Sequence, residues 1–131
     1  MDKNDSAKPK RILFVEDDDA LAGVYLVRLQ AEGFDVKRVS NGEEALAATV
    51  SFKPDLILLD VMMPKVSGFD VLDILRNSSE GSSVKIVVLT ALSQESDKKR
   101  AEELGVDDYL VKSQVVITDV ITRIKKHLGI L

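Results

Sequence analysis

The residues with chemical potential in this chain stand at the ends of apolar runs. Glu16, Asp17 and Asp18 follow directly on Arg11-Ile12-Leu13-Phe14-Val15, and Asp60 follows on Asp55-Leu56-Ile57-Leu58-Leu59. Thr90 comes straight after Val84–Leu89, and Lys112 straight after Asp108–Val111. Singly, such residues are ordinary: an Asp past a strand is usually a turn or cap residue, a Thr there a satisfied hydroxyl, a Lys a solvated charge. Gathered at one edge they would do chemistry. Carboxylates ~4 Å apart repel by about 4 kcal/mol per pair at an effective dielectric near 20, so Glu16, Asp17 and Asp60 require a cation between them. Donors that are all oxygen favour Mg²⁺, and that ion together with Lys112 balances the three negative charges. Asp60, fixed at the end of a continuous apolar strand, is the candidate nucleophile of aspartyl-phosphate chemistry. Lys112 and the metal would neutralise charge in such a transfer, and the Thr90 hydroxyl would donate to a phosphoryl oxygen.

The elements that must place these groups follow from periodicity. The three continuous runs that begin at Arg11, Asp55 and Val84 read as parallel strands covered on both faces, and Phe34–Val39 alternates as an edge strand does. A further strand is expected at Asp108–Val111. Helices are expected over 19–32, ending at Gly33, over 42–52, ending before Pro54, and over 68–77 and 93–104. The last helix carries Ile117, Val120, Ile121, Ile124 and Leu128 as one apolar stripe, with Lys125, Lys126 and His127 in its final turns. Ser40 and Asn41, after the edge strand, read as a helix cap. The pattern βαβαβαβαβα with right-handed crossovers gives an α/β, doubly wound, five-stranded parallel sheet whose site lies outside the carboxyl ends of the strands.

Composition narrows the remaining classes. A chain of 131 residues, 45% hydrophobic and 31% charged, holds one core and leaves no room for a second ordinary domain. With net charge −4 it has no basic footprint for direct nucleic acid binding. It has no Cys and a single His127, which excludes disulfides, thiolate metal sites and a Ser-His-Asp triad. The polar stretch Met1–Pro9 is no signal peptide, and no apolar run approaches a membrane span, so a cytoplasmic protein with no membrane partner is expected. Residues 1–9 read as a flexible N-terminal tail and residues 10–131 as the domain.

At residues 11–128 the sequence resembles the receiver domain of two-component response regulators. The resemblance rests on Ile12–Asp18, on Pro54–Pro64, on Gly68, on Leu89-Thr90-Ala91 and on Gly105–Lys112, all in order and at matching spacing. It implies the flavodoxin-like (βα)5 fold with strand order 2-1-3-4-5. It further implies that Asp60 takes a phosphoryl group from a phosphohistidine on a sensor histidine kinase or histidine phosphotransfer protein. By the same resemblance Glu16, Asp17, Asp60 and the backbone carbonyl of Met62 bind Mg²⁺. Thr90 matches the switch hydroxyl, Lys112 the phosphate-pairing lysine, and Tyr109 the aromatic that turns inward when Thr90 moves toward phosphate.

The chain departs from the family at Ser113, where proline is usual after the lysine, often with a cis peptide. Met62 and Leu92, two residues past Asp60 and Thr90, occupy positions that in the family set how fast the acyl phosphate hydrolyses. Neither side chain can orient water by hydrogen bonding, so slow self-dephosphorylation is expected. Phosphorylation is expected to shift the side of the sheet formed by strand four, strand five and the last helix, including the charged face Lys98, Lys99, Arg100, Glu102 and Glu103, toward a downstream protein or a phosphorylation-dependent homodimer. With Met1 at its start and Leu131 just past the last helix, the chain reads as a stand-alone, chemotaxis-regulator-like receiver. Three other readings fit the residues less well. A haloacid dehalogenase-type enzyme needs a second Asp where Met62 stands, and a flavodoxin-like FMN binder needs a glycine- and hydroxyl-rich loop where this chain is acidic. A phosphate-independent interaction module is disfavoured by the full set Asp60, Thr90 and Lys112.

Overall fold

The computed structural model describes residues 8–63 and 66–131. Most of the expected tail, residues 1–7, and Pro64 of the motif after Asp60 lie outside the described residues. Five strands, β1 (Arg11–Val15), β2 (Asp35–Val39), β3 (Leu56–Leu59), β4 (Lys85–Thr90) and β5 (Asp108–Val111), form one parallel sheet in the order 2-1-3-4-5. Five helices, α1 (Asp19–Ala31), α2 (Gly42–Phe52), α3 (Gly68–Arg76), α4 (Glu95–Glu103) and α5 (Ile117–His127), connect and follow them. The fold is the expected doubly wound, flavodoxin-like receiver fold. None of the helices among the described residues is long and apolar enough to cross a membrane.

The continuous apolar runs become the central strands because both faces of the sheet are covered. Alternate residues of β1, β3 and β4 enter opposite cores. Leu13, Val15, Ile57, Leu59, Ile86 and Val88 pack with Ala45 and Ala48 of α2, with Leu72 and Leu75 of α3 and with Ala101 of α4. Ile12, Phe14, Leu56, Leu58, Val87 and Leu89 pack with Tyr25 and Leu29 of α1 and with Val120, Ile121 and Ile124 of α5. A small alanine stripe on α2 and a broad one of larger side chains on α5 thus meet opposite faces of one sheet.

Local chemistry ends and starts the helices. Gly33, at φ +93°, takes the left-handed conformation that follows α1. Asp18 Oδ1 accepts from Leu21 N–H at 3.1 Å and Asn41 Oδ1 from Glu44 N–H at 2.9 Å, so both are N-caps. Helix α4 begins at Glu95 rather than at residue 93, because residues 91–94 form the loop above β4 that the site uses. Thr90, expected just past strand four, is its last residue.

Candidate functional site

Parallel register brings the acidic residues together. Val15 of β1 pairs with Leu59 of β3, and Asp60 N–H donates to Val15 O at 3.1 Å, so Glu16 and Asp60 leave neighbouring strands side by side. This is where the strand order reverses, since β1 leads outward to β2 and β3 leads the other way to β4. Carboxylate oxygens of Glu16, Asp17 and Asp60 all lie within 4.8 Å of one another. Glu16 and Asp60 are buried, at 1% and 5% exposure, while Asp17 is exposed. The third acid of the run, Asp18, is committed to capping α1.

Lys112 crosses from the end of β5 to both buried acids. Its Nζ lies 2.9 Å from Asp60 Oδ2, as a hydrogen bond, and 2.8 Å from Glu16 Oε1. The second contact is an ion pair without a well-directed hydrogen bond, which leaves Glu16 Oε1 a buried oxygen with no directed donor. Asp60 Oδ1 accepts from Met62 N–H at 2.9 Å, and Glu16 Oε2 from Asp18 N–H at 3.2 Å. At Ser113, the departure from the expected proline, the chain forms a single 3-10 turn, Lys112–Gln114, with trans peptides, and Lys112 still reaches the pocket. Gly68 brings the start of α3 against the residue after Asp60. Its N–H donates to Val61 O at 3.1 Å, and a Cβ built there would fall 2.2 Å from Val61 Cα, so only glycine permits this approach.

Burial and charge pull the titrations in opposite directions. Desolvation raises the Glu16 pKa above the usual 4.5, helped by the Asp60 charge and opposed by Lys112 and the Asp18 amide. For Lys112, desolvation alone would lower the pKa, yet the hydrogen bond to Asp60 and the contact with Glu16 outweigh it and the ammonium is held above 10.5. A lysine kept charged between two buried acids offsets part of their repulsion but leaves the pocket net negative. The oxygen-only donor set and the under-satisfied Glu16 Oε1 fit a small hard dication such as Mg²⁺.

A second pair of residues sits beside the pocket. Thr90 is fully buried, and its Oγ1 accepts from Leu92 N–H at 3.4 Å. Tyr109 is buried on β5, with its hydroxyl donating to Leu92 O at 2.9 Å. Burial, together with the charges of Asp97 and Asp60, pushes the Tyr109 pKa up to about 12. Thr90 and Tyr109 therefore hold the same residue of the β4–α4 loop from its two backbone sides. Sequence reasoning placed both residues but not their shared partner, because a backbone carbonyl carries no residue-type signal. It also passed over Arg38, whose guanidinium bonds the Glu16 carbonyl from β2.

Residues 12–125 match the response regulator receiver domain. The chain belongs to that family. It is 40% identical over 102 residues to the DNA-binding dual master transcriptional regulator RpaA of Synechocystis, covering 78% of this chain and 42% of that protein. It is 43% identical over 103 residues to the DNA-binding response regulator MtrA of Mycolicibacterium smegmatis, covering 79% of this chain and 44% of that protein. This receiver thus spans less than half the length of either relative. The receiver fold is close to that of the BeF3-activated N-terminal receiver domain of Klebsiella pneumoniae RstA, with TM-score 0.83 and 31% identity over 91% of this chain and 98% of that one. It is also close to the receiver domain of the Pseudomonas aeruginosa sensor histidine kinase PA1611, with TM-score 0.84 and 26% identity over 93% of this chain and 99% of that one. The latter structure holds a magnesium ion coordinated in its active site cleft.

Proposed function

We propose that this receiver is a phosphorylation-activated switch in which Asp60 accepts a phosphoryl group from a phosphohistidine of a sensor histidine kinase or histidine phosphotransfer protein. The observation that carries this reading is the convergence of Glu16, Asp17, Asp60 and Lys112 at the point where strand order reverses. In the transfer an Asp60 carboxylate oxygen forms a bond to phosphorus as the P–N bond breaks, and the donor histidine leaves as imidazole. Glu16, Asp17, Asp60 and the backbone carbonyl of Met62 would hold Mg²⁺, which when bound neutralises phosphoryl oxygens. Lys112 is already 2.9 Å from the accepting carboxylate, placed to pair with the incoming charge. The Met62 amide and the Lys112 ammonium each bond one Asp60 oxygen and so fix the rotation of the carboxylate.

Phosphorylation replaces one negative charge by roughly two at a point that Thr90 and Lys112 can answer. Drawn toward the phosphoryl oxygens, the Thr90 hydroxyl changes what it offers the Leu92 amide, and Tyr109 holds the Leu92 carbonyl in the inward position. The loop 91–94 and α4 then follow, and the surface of β4, β5, α4 and α5 changes for a downstream protein or a second copy of the chain. We read residues 10–131 as the receiver, and its net charge of −4 makes protein contact, rather than a direct hold on nucleic acid, the output of this part.

Incubation with acetyl phosphate and Mg²⁺ tests the reading by intact-mass spectrometry. The wild type should gain one phosphate, and the gain should vanish in Asp60→Asn and on adding EDTA. A phosphate increment retained by Asp60→Asn would place the modification on another residue, and none in the wild type would leave the phosphate-independent module; either result removes the proposal.

A further inference from the structure

Strand β2 lies at the sheet edge and alternates, so its polar side chains have solvent within reach. Arg38 does not use it fully: its side chain is only 23% exposed and runs to the start of α1. There Nε and Nη2 both donate to Glu16 O, at 2.9 and 2.6 Å, and Nη2 also pairs with Asp19 Oδ1 at 2.9 Å. A cation at a helix N-terminus opposes the helix dipole, so this placement does not serve α1 itself. Asp19 is 89% exposed and a weak reason to bring a guanidinium here. The remaining partner, the Glu16 carbonyl, belongs to the peptide that joins Glu16 to Asp17.

That peptide matters because the two acids are held unequally. The Glu16 carboxylate is fixed by the Asp18 amide and Lys112, whereas no hydrogen bond or ion pair holds the Asp17 carboxylate among the described residues. The direction of Asp17 is therefore set by its backbone. We propose that Arg38 is a positioning residue for the acidic pocket: by gripping the Glu16 carbonyl it fixes the Glu16–Asp17 peptide in the orientation that turns both carboxylates toward Asp60. Its fork suits this task, since two adjacent N–H groups constrain one carbonyl oxygen where an ammonium would supply a single freely rotating donor. The inference rests on the reading of the pocket as a Mg²⁺ site.

The sign of one measurement separates positioning from simple charge. Removing a cation beside an anionic pocket would, by Coulomb's law alone, tighten the binding of a dication. Loss of positioning would weaken it. Calorimetric titration of Mg²⁺ into the whole chain should give a Kd about 10-fold higher for Arg38→Met than for wild type, the scale typical for losing a group that orients a metal ligand. Arg38→Lys, which keeps the charge, should still bind roughly 3-fold more weakly than wild type. Asp19→Asn, which leaves both bonds to the Glu16 carbonyl in place, should bind within about 2-fold of wild type. An Arg38→Met variant that binds Mg²⁺ as tightly as wild type, or more tightly, overturns the proposal. If Arg38→Met does not fold by circular dichroism, an Arg38→Lys variant with wild-type affinity overturns it equally. A wild-type protein that takes up neither Mg²⁺ nor phosphate instead removes the reading of the pocket, and this proposal falls with it.

Discussion

Replacing Asp17 by Asn should make the protein more stable without Mg²⁺ and less responsive to it. The carboxylate oxygens of Glu16, Asp17 and Asp60 lie within 4.8 Å of one another, so each pair repels by at least about 3.5 kcal/mol at an effective dielectric of 20 and about 0.9 kcal/mol in bulk water. Asp17 is exposed, which places its two repulsions near the lower figure. Lys112, paired with both buried acids, offsets part of this, so neutralising Asp17 should stabilise the metal-free protein by about 1 kcal/mol, or roughly 3–5 °C in Tm. The wild type gains from the metal by mass action, about 2.7 kcal/mol at one hundred times its Kd. Asp17→Asn has lost a donor from the set, and with about tenfold weaker binding it gains about 1.3 kcal/mol less at the same concentration. Thermal unfolding in EDTA and across a MgCl₂ series should show the two curves converge or cross, with the variant higher at zero metal. Two results would refute the reasoning. A variant less stable than wild type in EDTA would mean that the acids are not in costly proximity, and an undiminished Mg²⁺ response would mean that Asp17 holds no metal.

Met62 is exposed and its thioether cannot order an attacking water, so Met62→Asn, which adds a donor and an acceptor there, should shed radiolabel from phosphorylated Asp60 several-fold faster than wild type; equal decay rates would count against slow self-dephosphorylation. Asp108 is the anchor of α5, with Oδ2 at 2.6 Å from Arg123 Nη1 and 2.9 Å from His127 Nε2. Burial would raise its pKa, but these two partners and the Tyr109 amide lower it below 3.8. A folded-state pKa below the unfolded one binds fewer protons in the native state, so the pairing stabilises the protein above the unfolded value and the benefit is lost as pH falls through the folded one. Urea unfolding should show Asp108→Asn less stable than wild type by about 1–2 kcal/mol at neutral pH, with the gap closing only below about pH 4. A gap that persists unchanged well below pH 4 would show that the Asp108 carboxylate is not its source.

The residues that line the pocket were legible because a parallel sheet converts sequence position into spatial position. Each continuous apolar run must be a covered strand, and the residue after each run must stand at the same edge, so Glu16, Asp60, Thr90 and Lys112 could be grouped before any coordinates. Helix boundaries were legible where Gly33 and Asn41 mark them, and less so at the start of α1, which Asp18 caps, and at α4. There the charged stretch from Ser93 has no capping hydrogen bond at Gln94 to announce its start. Arg76 shows a limit of the same kind. Its guanidinium bonds the carbonyls of Gly81, Val84 and Gly105 and tethers α3 to the loops that lead into β4 and β5, yet in the sequence it is one more basic residue near a helix end.

By itself, then, the sequence determined the order of elements, the parallel sheet and the set of groups at its carboxyl edge, because hydrophobic period and apolar run length are properties of neighbours along the chain. Only the tertiary structure decided which charges pair. Lys112 is shared between Asp60 and Glu16. Tyr109 is folded inward onto Leu92, and Arg38 reaches the peptide between two acids. Those pairings depend on strand register and on how far a flexible side chain reaches across it, and the targets are in large part backbone carbonyls, which every residue type presents alike.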